Sequence, residues 1–365
     1  MMKFLKLESS EKIISTFISI LAGMIFGLII MLIVNPSMAF GGFSAILLAG
    51  VSDGMYGFGE VLFNAAPLIL TGLAIAFAFK TGLFNIGASG QLMIGAFMAV
   101  WIGVTWTWVP APIHWIVAIL GGIFGGMVWV LIPALLKAYR NVHEVVSTIM
   151  MNYIAMYASK MLIEATIYDS VRQESNSVLN GARIPTFFLD RIFDNPRLNG
   201  GILIAILTGA IIYIVLEKTT FGFQLKAVGF NRDAAKYAGI NDKKNIVYSL
   251  LISGGIAGLA GAVIYLVPGT GMRLETTYVI NGYGFQGIAV ALLGMSNPIG
   301  TIFSGLFLGY IEASNQELQS WDFKREIIDI ITASIIYFSA FTLYFQKYAR
   351  KMISKIGKKD GETNA

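Results

Sequence analysis

Long apolar runs alternate with short polar segments along most of the chain. Eight of these runs are long enough to cross a bilayer as α-helices. They cover residues 13–34, 60–79, 83–104, 113–136, 145–165, 200–216, 246–267 and 327–345. Two shorter apolar runs, 283–295 and 298–312, raise the number of transmembrane or half-membrane helices to about ten. The pattern predicts an all-α polytopic membrane protein, and we expect the first helix to be retained, since no signal-peptide cleavage pattern follows it.

The positions of Lys and Arg predict the orientation of these helices. Basic residues concentrate before the first run, in the segment 217–245 and in the tail 346–365, whereas the segment 35–59 has none. Cytoplasmic loops of membrane proteins carry such an excess. We therefore expect both termini to be cytoplasmic. Lys160 lies within a span, where pairing with Glu164 one helical turn later lowers the cost of its charge.

Composition narrows the possible classes. Hydrophobic residues make up 56% of the chain, charged residues only 13%, and the mean hydropathy is +0.71. The net charge of +5 is spread over loops rather than one face, which argues against a nucleic-acid partner. With no cysteine and only two histidines, thiol chemistry is excluded and no metal site is expected. No linker divides the chain, so we expect a single transmembrane domain over residues 1–365.

The polar segment 217–245 separates two apolar runs and contains a short predicted helix. Asn231 can cap its start, Asp233 suits the positive helix end, and Gly239 can adopt the left-handed conformation that ends it. We expect a cytosolic partner to contact this helix. The alternative is an ordered connector that contacts nothing.

A second unusual stretch is KTGLFNIGASGQ, residues 80–91, which places polar side chains and glycines between apolar helices. An interrupted helix at membrane depth occurs where it is buried or lines a wet cavity. Asn85 and Gln91 are therefore candidates for a translocation pathway. The alternative is a plain cytoplasmic hairpin.

The stretch NGYGFQG, residues 281–287, has a similar character and adds Phe285 and Gln286 to the candidates. Aromatic rings beside carboxamides suit a flat, hydrogen-bonding solute such as a nucleobase, and they suit sugars nearly as well.

A third feature is the stripe Glu144, Thr148 and Asn152, whose spacing places the three side chains on one helix face. Asn152 is a candidate for the pathway wall or for an interhelical hydrogen bond, and Thr148 and Glu144 are possible pathway residues. The alternative for Glu144 is a position among the lipid headgroups.

The chain lacks a phosphate-binding loop, because Phe79 stands where the motif before Lys80 and Thr81 requires glycine. If transport is driven by ATP, another subunit must bind the nucleotide. We expect no cofactor in this chain.

Four stretches resemble the inner-membrane permease subunits of ABC importers for branched-chain amino acids, simple sugars and nucleosides, and most closely the nucleoside (guanosine-type) permeases. The stretches are residues 82–91, 141–155, 227–240 and 284–298. Ser89 departs from this pattern, since the family usually has an acidic residue there.

The resemblance implies a multi-pass importer subunit in the cell membrane. Its partners would be a cytoplasmic ATPase, a second, related permease chain and an external substrate-binding lipoprotein. It also implies that the segment 217–245 holds the helix that couples the permease to the ATPase. The coupling residues would be Asn231, Arg232, Asp233, Ala234, Ala235, Tyr237 and Gly239.

Three other functions have some basis in the residues. The same permease role could serve a simple sugar or a branched-chain amino acid, and a passive channel would need no ATPase. Residues 87–90 fit the G-x-S-G signature of rhomboid intramembrane proteases, with Ser89 as the nucleophile. That enzyme needs a histidine within about 3 Å of the serine, and His114 and His143 are poorly placed to supply it, so we expect a transporter and no enzyme.

Overall fold

The computed structural model describes residues 2–268, 272–324 and 326–341. The basic tail 346–365 and the end of the run 327–345 lie outside the described residues. Within the described part, fifteen α-helices form the structure. They are α1 (Met2–Val34), α2 (Ala39–Ser52), α3 (Met55–Lys80), α4 (Ala88–Thr105), α5 (Ala111–Arg140), α6 (Glu144–Thr166), α7 (Leu189–Ile192), α8 (Gly201–Lys218), α9 (Thr220–Phe230), α10 (Arg232–Tyr237), α11 (Asp242–Tyr265), α12 (Tyr283–Leu293), α13 (Pro298–Ala313), α14 (Asn315–Ser320) and α15 (Glu326–Ala340).

Six helices of the described part are long and apolar enough to cross a membrane, namely α1, α3, α4, α5, α8 and α11. The only named sheet in that part is an antiparallel hairpin of β1 (Tyr168–Asp169) and β2 (Glu174–Ser175), followed by a short 3-10 helix (Asn180–Ala182). These features confirm an all-α polytopic membrane protein.

The chain divides into two compact units, and the smaller one combines residues 1–49 with residues from 314 onward. In this unit α1 packs against α15. A Cβ added at Gly23 would lie 2.6 Å from the Ile335 Cα, and one at Gly27 would lie 2.6 Å from Ile331 Cγ1. Small residues on α1 therefore let the two helices approach closely.

The larger unit comprises residues 50–313 and is built around α3 and α11. Helix α11 packs against α3, α4 and α5, while α3 also contacts α8, α12 and α13. Both are buried over most of their length, because other helices surround them on several sides. The core of this unit therefore consists of central helices rather than of one amphipathic layer.

Glycines provide the closest contacts in this unit. Gly126 of α5 meets Gly258 of α11, where a Cβ added at Gly126 would come within 2.9 Å of the Gly258 Cα. Gly95 of α4 reaches the same place, and a Cβ there would lie 2.8 Å from the Gly122 carbonyl oxygen. Three helices thus touch backbone to backbone. Small residues permit this close approach of the helices.

Several helices differ from the sequence prediction in extent. The apolar part of the glycine-rich segment 35–59 forms α2, and α3 begins at Met55 rather than near residue 60. The segment 217–245 contains α9 in addition to the predicted short helix. Thr219 caps the start of α9, where its hydroxyl accepts from the Gly222 N–H at 3.1 Å.

The prediction of a single transmembrane domain over residues 1–365 stays a prediction. The smaller unit draws on both ends of the chain, and the larger unit is continuous in sequence between them. Each unit has its own helix packing, as described above.

We predict that Gly258→Leu destabilises the protein, because its side chain must displace the backbones of Gly122 and Gly126. Overpacking of this kind typically costs about 1–3 kcal/mol. The midpoint of thermal unfolding of the detergent-solubilised protein should fall. Gly282→Ala is the control, since no atom lies within 4 Å of a Cβ at that position. Equal midpoints for the two variants would contradict the packing role.

Candidate functional site

The break between α3 and α4 spans residues 81–87 and begins with a tight helix end. The Gly82 N–H donates to the Phe79 carbonyl at 3.0 Å, and the Leu83 N–H donates to the Ala78 carbonyl at 3.1 Å. Gly82 has a φ of 70°, which glycine adopts without steric cost. These bonds form a Schellman motif. The interruption predicted from the sequence is thus a defined turn that places Asn85 in the interior.

Asn85 and Gln91 pair through both of their amide groups. The Asn85 Nδ2 donates to Gln91 Oε1 at 2.9 Å, and Gln91 Nε2 donates back to Asn85 Oδ1 at 2.9 Å. Asn85 Nδ2 also donates to the Ser253 hydroxyl at 2.8 Å, which in turn donates to the Ala74 carbonyl at 2.6 Å. Asn85 and Gln91 are buried. The break is therefore bonded to α4, α11 and α3.

The side chain of Asn152 in α6 bonds to backbone groups of the break and of the first turn of α4. Its Nδ2 donates to the Ile86 carbonyl at 3.0 Å, and its Oδ1 accepts from the Gly90 N–H at 2.8 Å. The interhelical hydrogen bond predicted for Asn152 is confirmed. Asn85, Gln91, Asn152 and Ser253 form what we call the amide cluster.

The other two members of the α6 stripe, Glu144 and Thr148, form bonds outside the amide cluster. Glu144 is buried and pairs with Lys137 of α5 at 2.7 Å. The Thr148 hydroxyl donates to the Glu144 carbonyl at 2.8 Å, within its own helix. Neither side chain bonds to the amide cluster. Their role in a pathway stays a prediction.

The stretch 281–287 meets the stretch 80–91 through a glycine. Gly284, near the start of α12, packs on Ser89, near the start of α4, and a Cβ there would lie 2.6 Å from the Ser89 Cα. Phe285 is 43% exposed, and Gln286 donates to Glu312 Oε1 at 2.6 Å. The two stretches singled out in the sequence are therefore neighbours. However, Phe285 and Gln286 do not bond to the amide cluster, and their pathway role stays a prediction.

Ser89 is fully buried, and its hydroxyl has no hydrogen-bond partner within the described part of the chain. The ring of His114 instead bonds to the Ile102 carbonyl at 3.1 Å, and His143 precedes the first residue of α6. The serine and histidine pair that a rhomboid-type protease requires is thus absent from the described residues.

The predicted helix of the segment 217–245 is present as α10, with the predicted caps. Asn231 Oδ1 accepts from the Ala234 N–H at 2.9 Å. Gly239 has a φ of 80°, and the Ile240 N–H donates to the Ala235 carbonyl at 3.0 Å. The start and the stop of this helix are confirmed.

Two contacts hold α10 on the body of the larger unit. Arg232 Nε lies 2.6 Å from Asp242 Oδ2 at the start of α11, and its Nη1 donates to Asn141 Oδ1 at the end of α5 at 3.1 Å. Ala235 is buried in an apolar cluster that includes Leu83 of the break. Arg232 therefore positions α10 against its own chain.

Helix α9 touches the break directly. A Cβ added at Gly229 would come within 3.0 Å of the Gly82 nitrogen, and one at Gly82 would come within 3.3 Å of the Gly229 Cα. The two glycines thus meet backbone to backbone. Gly229 is two residues before the cap of α10, and Gly82 is three residues before Asn85. This contact and the apolar cluster of Ala235 and Leu83 both lie between α10 and the amide cluster.

The segment 217–245 also carries an exposed aromatic surface. Tyr237 is 96% exposed, Phe230 90% and Phe223 67%. Phe223 and Phe230 were not among the sequence candidates. Their occurrence in an otherwise polar segment is the signal that could have found them, since a group of exposed aromatic residues marks a contact surface whereas a single one does not.

The geometry describes a helical membrane protein with a polar, internally bonded break and a capped helix that contacts it. Comparison with protein families gives a match over residues 57–340 to the family described as "Branched-chain amino acid transport system / permease component". The chain belongs to this family. It is therefore a permease component of a transport system rather than an enzyme.

Three curated relatives share much of the sequence. The guanosine ABC transporter permease protein NupP of Bacillus subtilis is 42% identical over 88% of this chain and 91% of its own length. The nucleoside ABC transporter permease protein NupB of Lactococcus lactis is 34% identical over 91% of this chain and 92% of its own. The guanosine ABC transporter permease protein NupQ of Bacillus subtilis is 30% identical over 69% and 79%. No solved structure matches the chain significantly.

We predict that Asn152→Leu destabilises the protein, since it leaves the Gly90 N–H and the Ile86 carbonyl without their partner. A buried polar group without a partner costs about 1–3 kcal/mol. The thermal unfolding midpoint should fall clearly. Thr208→Val is the control, because that hydroxyl bonds only to the Ile204 carbonyl of its own helix. A loss no larger than in this control would show that the Asn152 bonds contribute little.

Proposed function

We propose that this chain is a permease subunit of an ATP-driven importer and forms the translocation pathway for nucleosides. The observation that carries the proposal is the similarity to NupP and NupB, which extends over about nine tenths of both chains and includes the stretches of the amide cluster and of α10. Buried carboxamides beside a break between two apolar helices also suit a hydrogen-bonding solute.

The proposed topology has about ten transmembrane or half-membrane elements, with both termini in the cytoplasm. It is supported by the inside bias of Lys and Arg. The six long apolar helices and the shorter apolar helix α12 fit this topology. The proposed location is the cell membrane.

The proposed partners are an ATPase subunit, a second permease chain and an external substrate-binding lipoprotein. The lack of a phosphate-binding loop in the sequence supports a separate ATPase. A second permease is supported by NupP and NupQ, two guanosine permease proteins of one organism that both resemble this chain. The lipoprotein follows from the importer class alone.

The proposed contact with the ATPase is the exposed side of α9 and α10. Large exposed aromatic residues are frequent anchors in protein interfaces, and Tyr237 and Phe230 are almost entirely exposed. The buried Ala235 and the Arg232 contacts keep the opposite side of α10 on the permease. This arrangement suits a helix that transmits force.

The proposed mechanism is alternating access. ATP binding closes the ATPase pair, which displaces α9 and α10. The contact between Gly229 and Gly82 passes this displacement to the break at 81–87. The hydrogen bonds of the amide cluster then exchange partners with the solute or with water, so that the pathway opens to one side and closes to the other.

We predict that cells carrying the complete transporter take up labelled guanosine, and that unlabelled nucleosides compete with it. Competition by D-ribose, D-glucose or leucine should be weak. Cells in which only the ATPase subunit is inactivated are the control and should show background uptake. Strong competition by a sugar or by leucine would replace the nucleoside assignment, and uptake without the ATPase would favour a passive channel.

We predict that Ala235→Pro abolishes solute-stimulated ATP hydrolysis by the assembled complex. Proline removes the N–H that donates to the Asn231 carbonyl and disturbs the helix interior. Membrane insertion should persist, because α10 lies outside the apolar runs. Val171→Ala, at a 90% exposed position between β1 and β2, is the control and should keep the activity. Unchanged coupling in Ala235→Pro would refute the assignment of α10.

A further inference from the structure

A cavity of about 260 Å³ lies between α4, α6, the end of α11 and the segment 272–282. Its wall is largely apolar, with a small number of polar side chains. The polar side chains are Ser159, Lys160, Tyr265, Glu275, Thr277 and Asn281. Pockets that bind small molecules have this composition and volumes of about 300–1,000 Å³. The cavity lies just below this range, which limits its occupant to a small solute.

The cavity follows directly on the amide cluster along two helices. On α4, Gln91 belongs to the cluster and Leu92 and Ala96 line the cavity. On α6, Asn152 belongs to the cluster and Ser159 lines the cavity two turns further on. Asn152 and Ser159 are seven residues apart and share one face of α6, and Leu92 directly follows Gln91 on α4. The cavity therefore adjoins the amide cluster along α4 and α6.

Ser159 marks the cavity as a place for a polar ligand. The residue is only 5% exposed, and its hydroxyl has no hydrogen-bond partner in the described part of the chain. Most buried hydroxyls in proteins are paired, so an unpaired one needs an explanation. A solute or water held against this wall would supply the missing partner.

The charges around the cavity indicate an uncharged solute. Lys160 is 3.6 Å from Glu164 and lies 4.0 Å from the centre of the Tyr278 ring. Glu275 adds a negative charge to the wall. Because acidic groups balance the lysine, the wall presents no excess positive charge to an anion. Asn281 Oδ1 accepts from the Tyr283 N–H at 3.0 Å and the same side chain bonds to the Tyr265 hydroxyl, which leaves one amide N–H of Asn281 and the Tyr265 ring for hydrogen bonding and stacking.

We propose that this cavity is a binding site for the imported solute, next to the amide cluster, and that it accepts uncharged nucleosides and excludes nucleotides. The inference rests on the proposed function. Ser159 and Asn281 bind polar groups of the solute, and Tyr265 contacts its ring. The amide cluster closes the adjoining end of the cavity until the segment 217–245 moves.

Uptake by the complete transporter tests the site. Ser159→Leu fills the cavity and should reduce guanosine uptake more than tenfold, and Asn281→Ala should reduce it by about tenfold, the effect of one lost hydrogen bond to a ligand. Thr208→Val is the matched control outside the cavity and should transport normally. Normal uptake by both cavity variants would overturn the proposal.

Labelling of a single cysteine gives a second measurement that does not depend on the folding of Ser159→Leu. The chain has no cysteine, so Thr277→Cys places a unique thiol on the cavity wall. Saturating guanosine should slow its reaction with a methanethiosulfonate reagent at least threefold in membranes holding the complete transporter. Val171→Cys, on the exposed hairpin, should react at one rate with or without guanosine.

The outcomes separate this proposal from the proposed function. Failure of the unaltered transporter to take up guanosine contradicts the nucleoside function itself. Normal guanosine uptake without protection of Thr277→Cys overturns the cavity alone. Equal protection by guanosine 5′-monophosphate overturns the exclusion of charged solutes.

Discussion

A polar group placed among apolar helices must find its hydrogen-bond partner within the protein, and the larger unit depends on this constraint. The Asn85 and Gln91 amides bond to each other, Asn85 also bonds to Ser253 of α11, and Asn152 bonds to the backbone of Ile86 and Gly90. These bonds join α4, α6 and α11 at one place. Under the proposed function, a polar solute that enters at this place exchanges bonds with these side chains, because they already have partners within the protein.

Close backbone contact between helices also stabilises the larger unit. Lipid gives no hydrophobic drive for helices to associate, so packing must hold α4, α5 and α11 together. Gly95, Gly126 and Gly258 permit the three backbones to touch. This crossing and the amide cluster share α4 and α11. Under the proposed function, the crossing is a rigid support against which the break moves.

Local features of this structure could be predicted from the sequence, whereas contacts between residues far apart in the chain could not. The caps of α10 were predictable because Asn231 and Gly239 act within a few residues. The break was predictable because amides and glycines are rare between apolar runs. The bond from Asn85 to Ser253 joins residues 168 positions apart, which no local pattern encodes. For the same reason, the separation of Gln286 from the cluster and its bond to Glu312 were not foreseen. Helix α9 was missed because two glycines, Gly222 and Gly229, lower its local helix propensity.

The contact between Gly82 and Gly229 has a mechanical consequence. A side chain at either position would change its rotamer when α9 moves, and this change would absorb part of the displacement. Two bare backbones have no such compliance, so even a small shift of α9 moves the turn by a similar distance. The contact is stiff because neither residue has a side chain.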